Sequence, residues 1–216
     1  MNGDVTFASS PQLKAQKRMA YYVRLLSTSD QVIPVRDLVT SLEGSTLTVE
    51  SGTDDAWGQL LLAHTNGREI AAIERNTVGH ESMAAEELQE FLEESHELKP
   101  TSGAEWLRGF LPKVKTIYAF QILSGAEVND GWSAIAAVKT KLWNDLGGIF
   151  QADGEGFSNE EGYHVVWQFS ENVRGSWWMG LHKEGRWVHF EMELGDRAQR
   201  EAFLRGEVPA GANLAT

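Results

Sequence analysis

A short motif that occurs twice in the sequence constrains how this chain can fold. The stretch "AHTNGREIAAIE" begins at Ala63, and the stretch "LHKEGRWVHFEM" begins at Leu181. Each contains His-x-x-Gly-Arg, followed two places on by an apolar residue. Glycine between β-forming residues is typical of a hairpin turn, because glycine adopts positive φ without strain. The sequence therefore predicts two antiparallel hairpins, one in each half of the chain.

Similar elements surround the two predicted hairpins. "YYVRLLS", from Tyr21 to Ser27, has the composition of a strand and shares its first Tyr and its closing Leu-Ser with "YAFQILS", from Tyr118 to Ser124. In each half the predicted order is strand, helix, strand, hairpin, helix. We predict the α+β class, with antiparallel sheets, helices packed on them and two similar sequential halves from an internal duplication. Turn chemistry shared by chance is the alternative explanation.

The same pattern predicts where the chain divides. We expect residues 1–18 to form a polar, mobile N-terminal arm, and this segment lacks the apolar run of a signal peptide. Residues 19–112 form the first half and residues 113–216 the second, and we expect both to belong to one compact unit. A short helix in "TSGAEWLRGFLP" connects the halves, beginning at a predicted capping box from Ser102 to Glu105.

Charge and composition narrow the classes of partner. The 216 residues include 31 acidic and 19 basic side chains, so the formal net charge is −12. This balance disfavours nucleic acid, whose phosphates need Lys and Arg, and favours a protein partner with a basic surface. No apolar run approaches the roughly 20 residues that span a bilayer, so we expect no membrane association and a cytoplasmic location. The chain has no cysteine, which excludes thiol chemistry.

The C-terminal hairpin has two faces of different character. Alternation along "YHVVWQFS", "SWWMGLH" and "RWVHFEM" places one set of side chains on a core face, since successive strand residues point to opposite sides. The predicted core face comprises Tyr163, Val165, Trp167, Phe169, Trp177, Met179, Leu181, Val188, Phe190 and Met192.

The opposite side, the outer face, is where we predict a binding site. His182 is predicted to lie across from Trp187, His189 across from Gly180, and His164 across from His182 on an adjoining strand. The predicted ligand-binding residues are His164, Trp178, His182, Trp187, His189 and Glu191.

Four interpretations of the outer face stay open at this stage. Another layer of the protein packs on it, or it is a protein interface anchored by tryptophan. It could also be a groove for a small polar ligand, and such a groove could be the active site of an enzyme. The fourth is a metal site on His164, His182 and His189, with Glu191 as a further ligand.

Two acidic segments are weaker candidates. The loop "DGEGFSNEEG" offers oxygen ligands for calcium, although its spacing does not match an EF-hand, and a solvated loop is the simpler interpretation. The segment from Glu81 to Glu97 predicts a helix with an acidic surface that is either solvated or a docking site for a basic protein. It contains Glu81, Glu86, Glu87, Glu90, Glu93, Glu94 and Glu97.

No motif for phosphate binding or nucleophilic catalysis is present in the sequence. We therefore predict a non-enzymatic binding protein, without a cofactor or metal, that engages another macromolecule through the acidic helix and the outer face. Self-association into a homo-oligomer is also compatible with an exposed tryptophan-rich face. The alternative is small-ligand or metal binding on the outer face.

Overall fold

The computed structural model describes residues 20–128 and 130–215. The predicted N-terminal arm, residues 1–18, lies outside the described residues. The strands are β1 (Tyr21–Ser27), β2 (Ser45–Thr53), β3 (Ala56–His64), β4 (Glu69–Thr77), β5 (Thr116–Ile122), β6 (Ile149–Ala152), β7 (Gly156–Phe157), β8 (Ser176–Lys183), β9 (Arg186–Glu193) and β10 (Asn213–Leu214). The helices are α1 (Val35–Val39), α2 (Met83–Glu94), α3 (Thr101–Phe110), α4 (Gly131–Leu146) and α5 (Arg197–Leu204).

The described chain forms two compact units that are interleaved in sequence. The β1 unit contains residues 20–85 and 114–148, and the β8 unit contains residues 86–113 and 149–215. This division differs from the predicted sequential halves. The reason is that β5 and α4, which were assigned to the second half, belong to the same unit as β1.

An antiparallel sheet forms the framework of the β1 unit. Its strand order is β2-β3-β4-β5-β1, so the hairpin of β3 and β4 is interior, as its apolar sequence predicts. Leu60, Leu62 and Ile73 of this hairpin are fully buried. Burial of such side chains contributes about 1.5–3 kcal/mol each to folding.

The two similar strand sequences are direct neighbours in this sheet. β1 and β5 pair antiparallel, with Leu25 opposite Tyr118. The predicted α+β class with antiparallel sheets is confirmed, whereas the internal duplication stays a prediction.

The β8 unit contains a three-stranded antiparallel sheet in the order β10-β9-β8. The predicted register of its hairpin is confirmed, with His182 opposite Trp187 and Gly180 opposite His189. Side chains of the predicted core face, Met179, Leu181, Phe190 and Met192 among them, pack in one buried cluster with Phe203 of α5. The carboxylate of Asp196 caps α5 by accepting from the backbone N–H groups of Ala198 and Gln199.

Two local predictions in the β8 unit are wrong. α3 begins at Thr101 after Pro100, so Ser102 lies inside the helix and no capping box forms. The segment from Tyr163 to Ser170 is not a regular strand and makes only isolated bridges at His164. Its other backbone groups bond elsewhere, as when the N–H of Trp167 donates to the carbonyl of Lys99 at 2.7 Å.

The described part of the chain contains no helix that is both long and apolar enough to cross a bilayer.

Candidate functional site

The outer face of β8 and β9 carries five of the six predicted site residues. Trp178, Gly180 and His182 alternate along β8, and they lie opposite Glu191, His189 and Trp187 of β9. The His182 ring lies 4.9 Å from the Trp187 ring, and the Trp187 ring lies 6.4 Å from the His189 ring, measured between centroids. The hairpin therefore brings two imidazoles, two indoles and one carboxylate to the same side of the sheet.

The structure does not bring His164 to this group. His164 is 7% exposed, and its ring packs against Trp177 at 4.7 Å and Phe169 at 5.4 Å. The prediction assumed an antiparallel strand, but the backbone of His164 forms a parallel bridge with Met179. Residues bridged in this way point to the same side, so His164 shares the core side with Met179.

Tyr163, predicted for the core face, lies instead on the outer face. Its ring stacks on His189 with a centroid separation of 3.7 Å and an interplanar angle of 6°. The Trp178 ring meets the edge of the same tyrosine at 6.0 Å. At the other end of the face, Trp106 of α3 contacts the Trp187 ring at 4.9 Å in an edge-to-face arrangement. Side chains of the β8 unit itself therefore cover the centre of the outer face.

Side chains pack directly above Gly180 on the outer face. A Cβ atom at Gly180 would lie 3.4 Å from each of three side chains, those of Tyr163, Trp187 and His189. These side chains lie in van der Waals range of the position above Gly180, so the surface there is occupied by the protein's own side chains.

A buried asparagine fixes the orientation of His189. The Oδ1 atom of Asn159 accepts hydrogen bonds from the backbone N–H groups of Glu161 and Tyr163, at 3.0 and 2.9 Å. The Nδ2 group of Asn159 therefore faces the Nε2 atom of His189, at 3.1 Å. Because an amide N–H can only donate, Nε2 is the acceptor and the ring proton of neutral His189 resides on Nδ1.

Electrostatics at His189 follow from this arrangement. The Nδ1 atom lies 3.6 Å from a carboxylate oxygen of Glu161. Burial lowers the pKa of the His189 imidazole below its usual value, and the Glu161 carboxylate opposes part of this shift. The neutral form is therefore favoured, and it is the form whose Nε2 atom can accept from Asn159.

The exposed part of the outer face lies around Trp178. This indole is 37% exposed, and its ring is held by the edge contact with Tyr163. Glu191 lies directly opposite Trp178 and accepts a hydrogen bond from Asn213 of β10 at 3.3 Å. The side chain of Glu161 is 58% exposed. The exposed indole thus has the Glu191 carboxylate directly across the hairpin, and the Glu161 carboxylate lies beside His189 on the same face.

The acidic helix is also exposed in the β8 unit. Glu86, Glu90, Glu93 and Glu94 of α2, and Glu97 after it, all face solvent. Among the described residues, none of these five has a Lys or Arg partner within ion-pair distance. Their negative charge is therefore not neutralised by ion pairs with described neighbours.

Metal binding gains no support from the described residues. Residues 20–128 and 130–215 contain no group of three or more His, Asp and Glu side chains that could hold one ion. The loop that begins at Asp153 instead uses Asn159 to support Tyr163 and His189. This removes the geometric basis for both the histidine site and the calcium loop.

Sequence reasoning missed Tyr163, Asn159, Glu161 and Trp106 as parts of the outer face. The stretch "NEEGY" contains a usable signal, since Asn commonly accepts from backbone N–H groups two or more residues ahead. Trp106 has no such signal because its contact depends on how α3 packs. Comparison with known proteins finds no family model, no curated protein and no solved structure that matches this chain.

Proposed function

We propose that this protein is a non-enzymatic binding protein that engages a basic segment of another protein through the outer face around Trp178. The observation that carries the proposal is the 37% exposure of Trp178 beside fixed aromatic neighbours. A tryptophan whose orientation is already set loses little conformational freedom on binding, and tryptophan is a frequent anchor of protein interfaces.

The charges near Trp178 favour a cationic partner. Arg and Lys side chains interact with the face of an indole and form charge-assisted hydrogen bonds with carboxylates. Glu191, opposite Trp178, and the exposed Glu161 supply such carboxylates. The net charge of −12 adds long-range attraction for a basic protein and repulsion of nucleic acid.

The acidic surface of α2 is proposed as a second contact. The four exposed carboxylates of α2 and that of Glu97 lie in the same unit as the outer face. Exposed charges of this kind chiefly accelerate association, and salt weakens their effect. We therefore expect the association rate to depend on salt more strongly than the dissociation rate. We also propose that the protein is located in the cytoplasm.

The alternative, a small polar ligand on the outer face, has less support. Tyr163 stacks directly on His189, and the space above Gly180 is occupied by rings of the protein. A ligand would have to displace this packing, whereas a macromolecule can bind the exposed rim without doing so.

The test measures binding of a fluorescent ten-residue peptide of Arg and Lys by anisotropy, beside a peptide with Gln at every basic position. We expect Trp178→Ala to weaken binding of the basic peptide by at least tenfold, as for an interface anchor. Leu214→Ala is the matched control, because Leu214 is 61% exposed in the same sheet but lies opposite Phe190. Equal effects of both substitutions, or equal binding of the Gln peptide, would refute the proposal.

Sedimentation of the protein alone over a range of concentrations identifies self-association. If the protein dimerises and Trp178→Ala abolishes the dimer, the partner at the outer face is a second copy of this chain. That result would replace the basic protein in the proposal.

A further inference from the structure

The strand β2 forms an edge of the sheet in the β1 unit, and the proposed function does not use it. β2 has nine residues and pairs only with β3 among the described strands. The edges of the sheet in the β8 unit are better protected, since β10 has two residues and the backbone of His164 bridges the outer side of β8. A long edge strand with unpaired backbone groups is a template for another strand.

The backbone of β3 fixes the direction of the backbone groups in β2. The N–H of His64 donates to the carbonyl of Arg68 at 2.9 Å, on the β4 side of the hairpin. Backbone groups of successive strand residues point to opposite sides, so those of Ala63 point toward β2. Ala63 pairs with Thr46. The N–H and C=O groups of Thr46 therefore point toward β3.

Three residues of β2 direct their backbone groups away from the sheet. Alternation from Thr46 assigns this direction to Ser45, Leu47 and Val49. On that side, none of the three forms a backbone hydrogen bond with another described residue. The pairing with β3 is regular over these residues, and a bulge interrupts it only after Val49. The edge therefore presents a regular row of N–H and C=O groups that lack partners in the described chain.

The side chains along this row leave it accessible to a further strand. Edge strands are commonly protected by lysine, proline or inward-pointing charges. Residues 45–49 are Ser, Thr, Leu, Thr and Val, which include none of these, and Thr and Val favour β structure. The nearest charges are those of the exposed Glu43 and Glu50, beyond the two ends of the row. Neither carboxylate forms an ion pair with a described residue.

These two charges determine which strand fits. Antiparallel pairing with a second copy of β2 would bring Glu43 of one copy beside Glu50 of the other, and like charges on neighbouring strands repel. A strand with Lys or Arg at its ends would meet opposite charges instead.

We infer that β2 accepts an extended segment of another protein as an added strand, a segment with uncharged β-forming residues between Lys or Arg residues. Its backbone bonds to Ser45, Leu47 and Val49, and its terminal cations lie near Glu43 and Glu50. In this mode of recognition, main-chain hydrogen bonds supply the affinity. The surface belongs to the β1 unit, so the inference does not depend on the contact at Trp178.

The experiment records hydrogen exchange of backbone amides by nuclear magnetic resonance in the full-length protein, with and without the peptide Lys-Thr-Val-Thr-Val-Thr-Lys. In the free protein, the amides of Leu47 and Val49 should exchange faster than those of Thr46 and Thr48, which donate to β3. The peptide should slow exchange at Leu47 and Val49 by about tenfold or more and affect Thr46 and Thr48 less. Unchanged exchange at Leu47 and Val49 with millimolar peptide would overturn the inference.

Two altered peptides test the two parts of the recognition. A peptide with N-methyl groups on its central residues has no N–H to donate along either edge, and it should not slow exchange at Leu47 and Val49. A peptide with Glu in place of both Lys residues should bind about tenfold more weakly. Protection by the N-methylated peptide equal to that by the original would refute strand addition, and equal binding of the Glu peptide would refute the basic character of the partner.

Variants localise the peptide on the protein. The double variant Glu43→Gln and Glu50→Gln should weaken peptide binding by about tenfold, the effect of two exposed ion pairs. Glu69→Gln combined with Glu74→Gln is the matched control, because it removes two exposed carboxylates from the interior strand β4. An equal loss in the control would show general attraction to an acidic surface and would refute the assignment to β2.

A concentration series without peptide tests the other occupant of this edge. Exchange at Leu47 and Val49 should not depend on protein concentration. If it slows as the concentration rises, β2 pairs with a second copy of the chain, and the inferred partner is wrong.

Discussion

The two His-x-x-Gly-Arg hairpins have the same residue frame but form different turns. In the first, His64 and Arg68 close a loop of three residues, and Gly67 adopts a φ of 85°. In the second, Lys183 pairs with Arg186, so the loop has two residues, Glu184 and Gly185, with φ values of 50° and 78°. The first is a hairpin with a glycine in the third loop position, and the second has the type I′ conformation.

The framing side chains also differ in what they contact. His64 and Arg68 donate to the carbonyls of Gly125 and Ser124, which fixes the first turn to the segment after β5. His182 instead packs against Trp187 within its own hairpin. The short His-x-x-Gly-Arg motif therefore predicts that a hairpin forms. The surrounding elements determine which turn type it adopts and what its side chains contact.

The largest expected difference between the hairpins concerns stability. Leu62 of the first hairpin is fully buried, so Leu62→Ala should lower the free energy of unfolding by about 2–5 kcal/mol. Trp178→Ala, on the second hairpin, removes a partly exposed ring and should cost about 1 kcal/mol or less, because surface positions contribute little. Urea denaturation followed by circular dichroism measures both. A larger loss from Trp178→Ala would show that the outer face is a structural core.

The turn glycines provide a second, smaller comparison. Gly67 and Gly185 both have positive φ, and a Cβ atom at either position would meet nothing within 4 Å. Substitution by Ala should therefore cost only backbone strain, about 1–2 kcal/mol at each site. Similar losses in the two variants would support equal strain in two different turns. A loss above that range at one position only would reveal a contact made by the substituted side chain.

Much of the fold could be predicted from local pattern. Alternation in β8 and β9 fixed which side chains face the core, because Met179, Leu181 and Phe190 all lie on one side of a tight hairpin. The interior position of β3 and β4 followed from apolar residues on both of their faces. Such predictions succeed because the turn sets the register and burial of one face enforces it.

Other features depended on contacts between distant segments. The position of His164 depends on a parallel bridge to Met179, which no turn between the two segments specifies. The composition of the β1 unit depends on the pairing of β5 with β1 and β4, far apart in sequence.

A third comparison uses the first loop residue of each turn. Glu184 has positive φ, which is strained for a residue other than Gly or Asn, so Glu184→Asn should raise the free energy of unfolding by about 0.5–1 kcal/mol. Thr65→Asn in the first turn is the control, since Thr65 lacks positive φ and no gain is expected. Equal gains in both variants would mean that asparagine itself stabilises the protein irrespective of φ.

The smallest expected effect is a pH dependence of the free energy of unfolding. We expect it to depend on His189 and not on an exposed histidine. Burial lowers the pKa of His189 in the folded protein, so the unfolded chain takes up its proton first as the pH falls below about 6.5. The free energy of unfolding should therefore fall with pH from this value down to the lower pKa of the folded state. We expect a modest effect because solvent near Glu161 screens the site.

Denaturation between pH 8 and pH 5 measures this effect. In His189→Phe, which retains a ring against Tyr163, the free energy of unfolding should fall less steeply with decreasing pH than in the unsubstituted protein. His80→Phe is the control, because the His80 side chain is 91% exposed and its loss should leave the slope unchanged. Parallel pH profiles for His189→Phe and the unsubstituted protein would mean that protonation of His189 does not oppose folding. The hydrogen bond from Asn159 would then not fix the neutral tautomer, and the outer face would be less rigid around Trp178 than its ring contacts indicate.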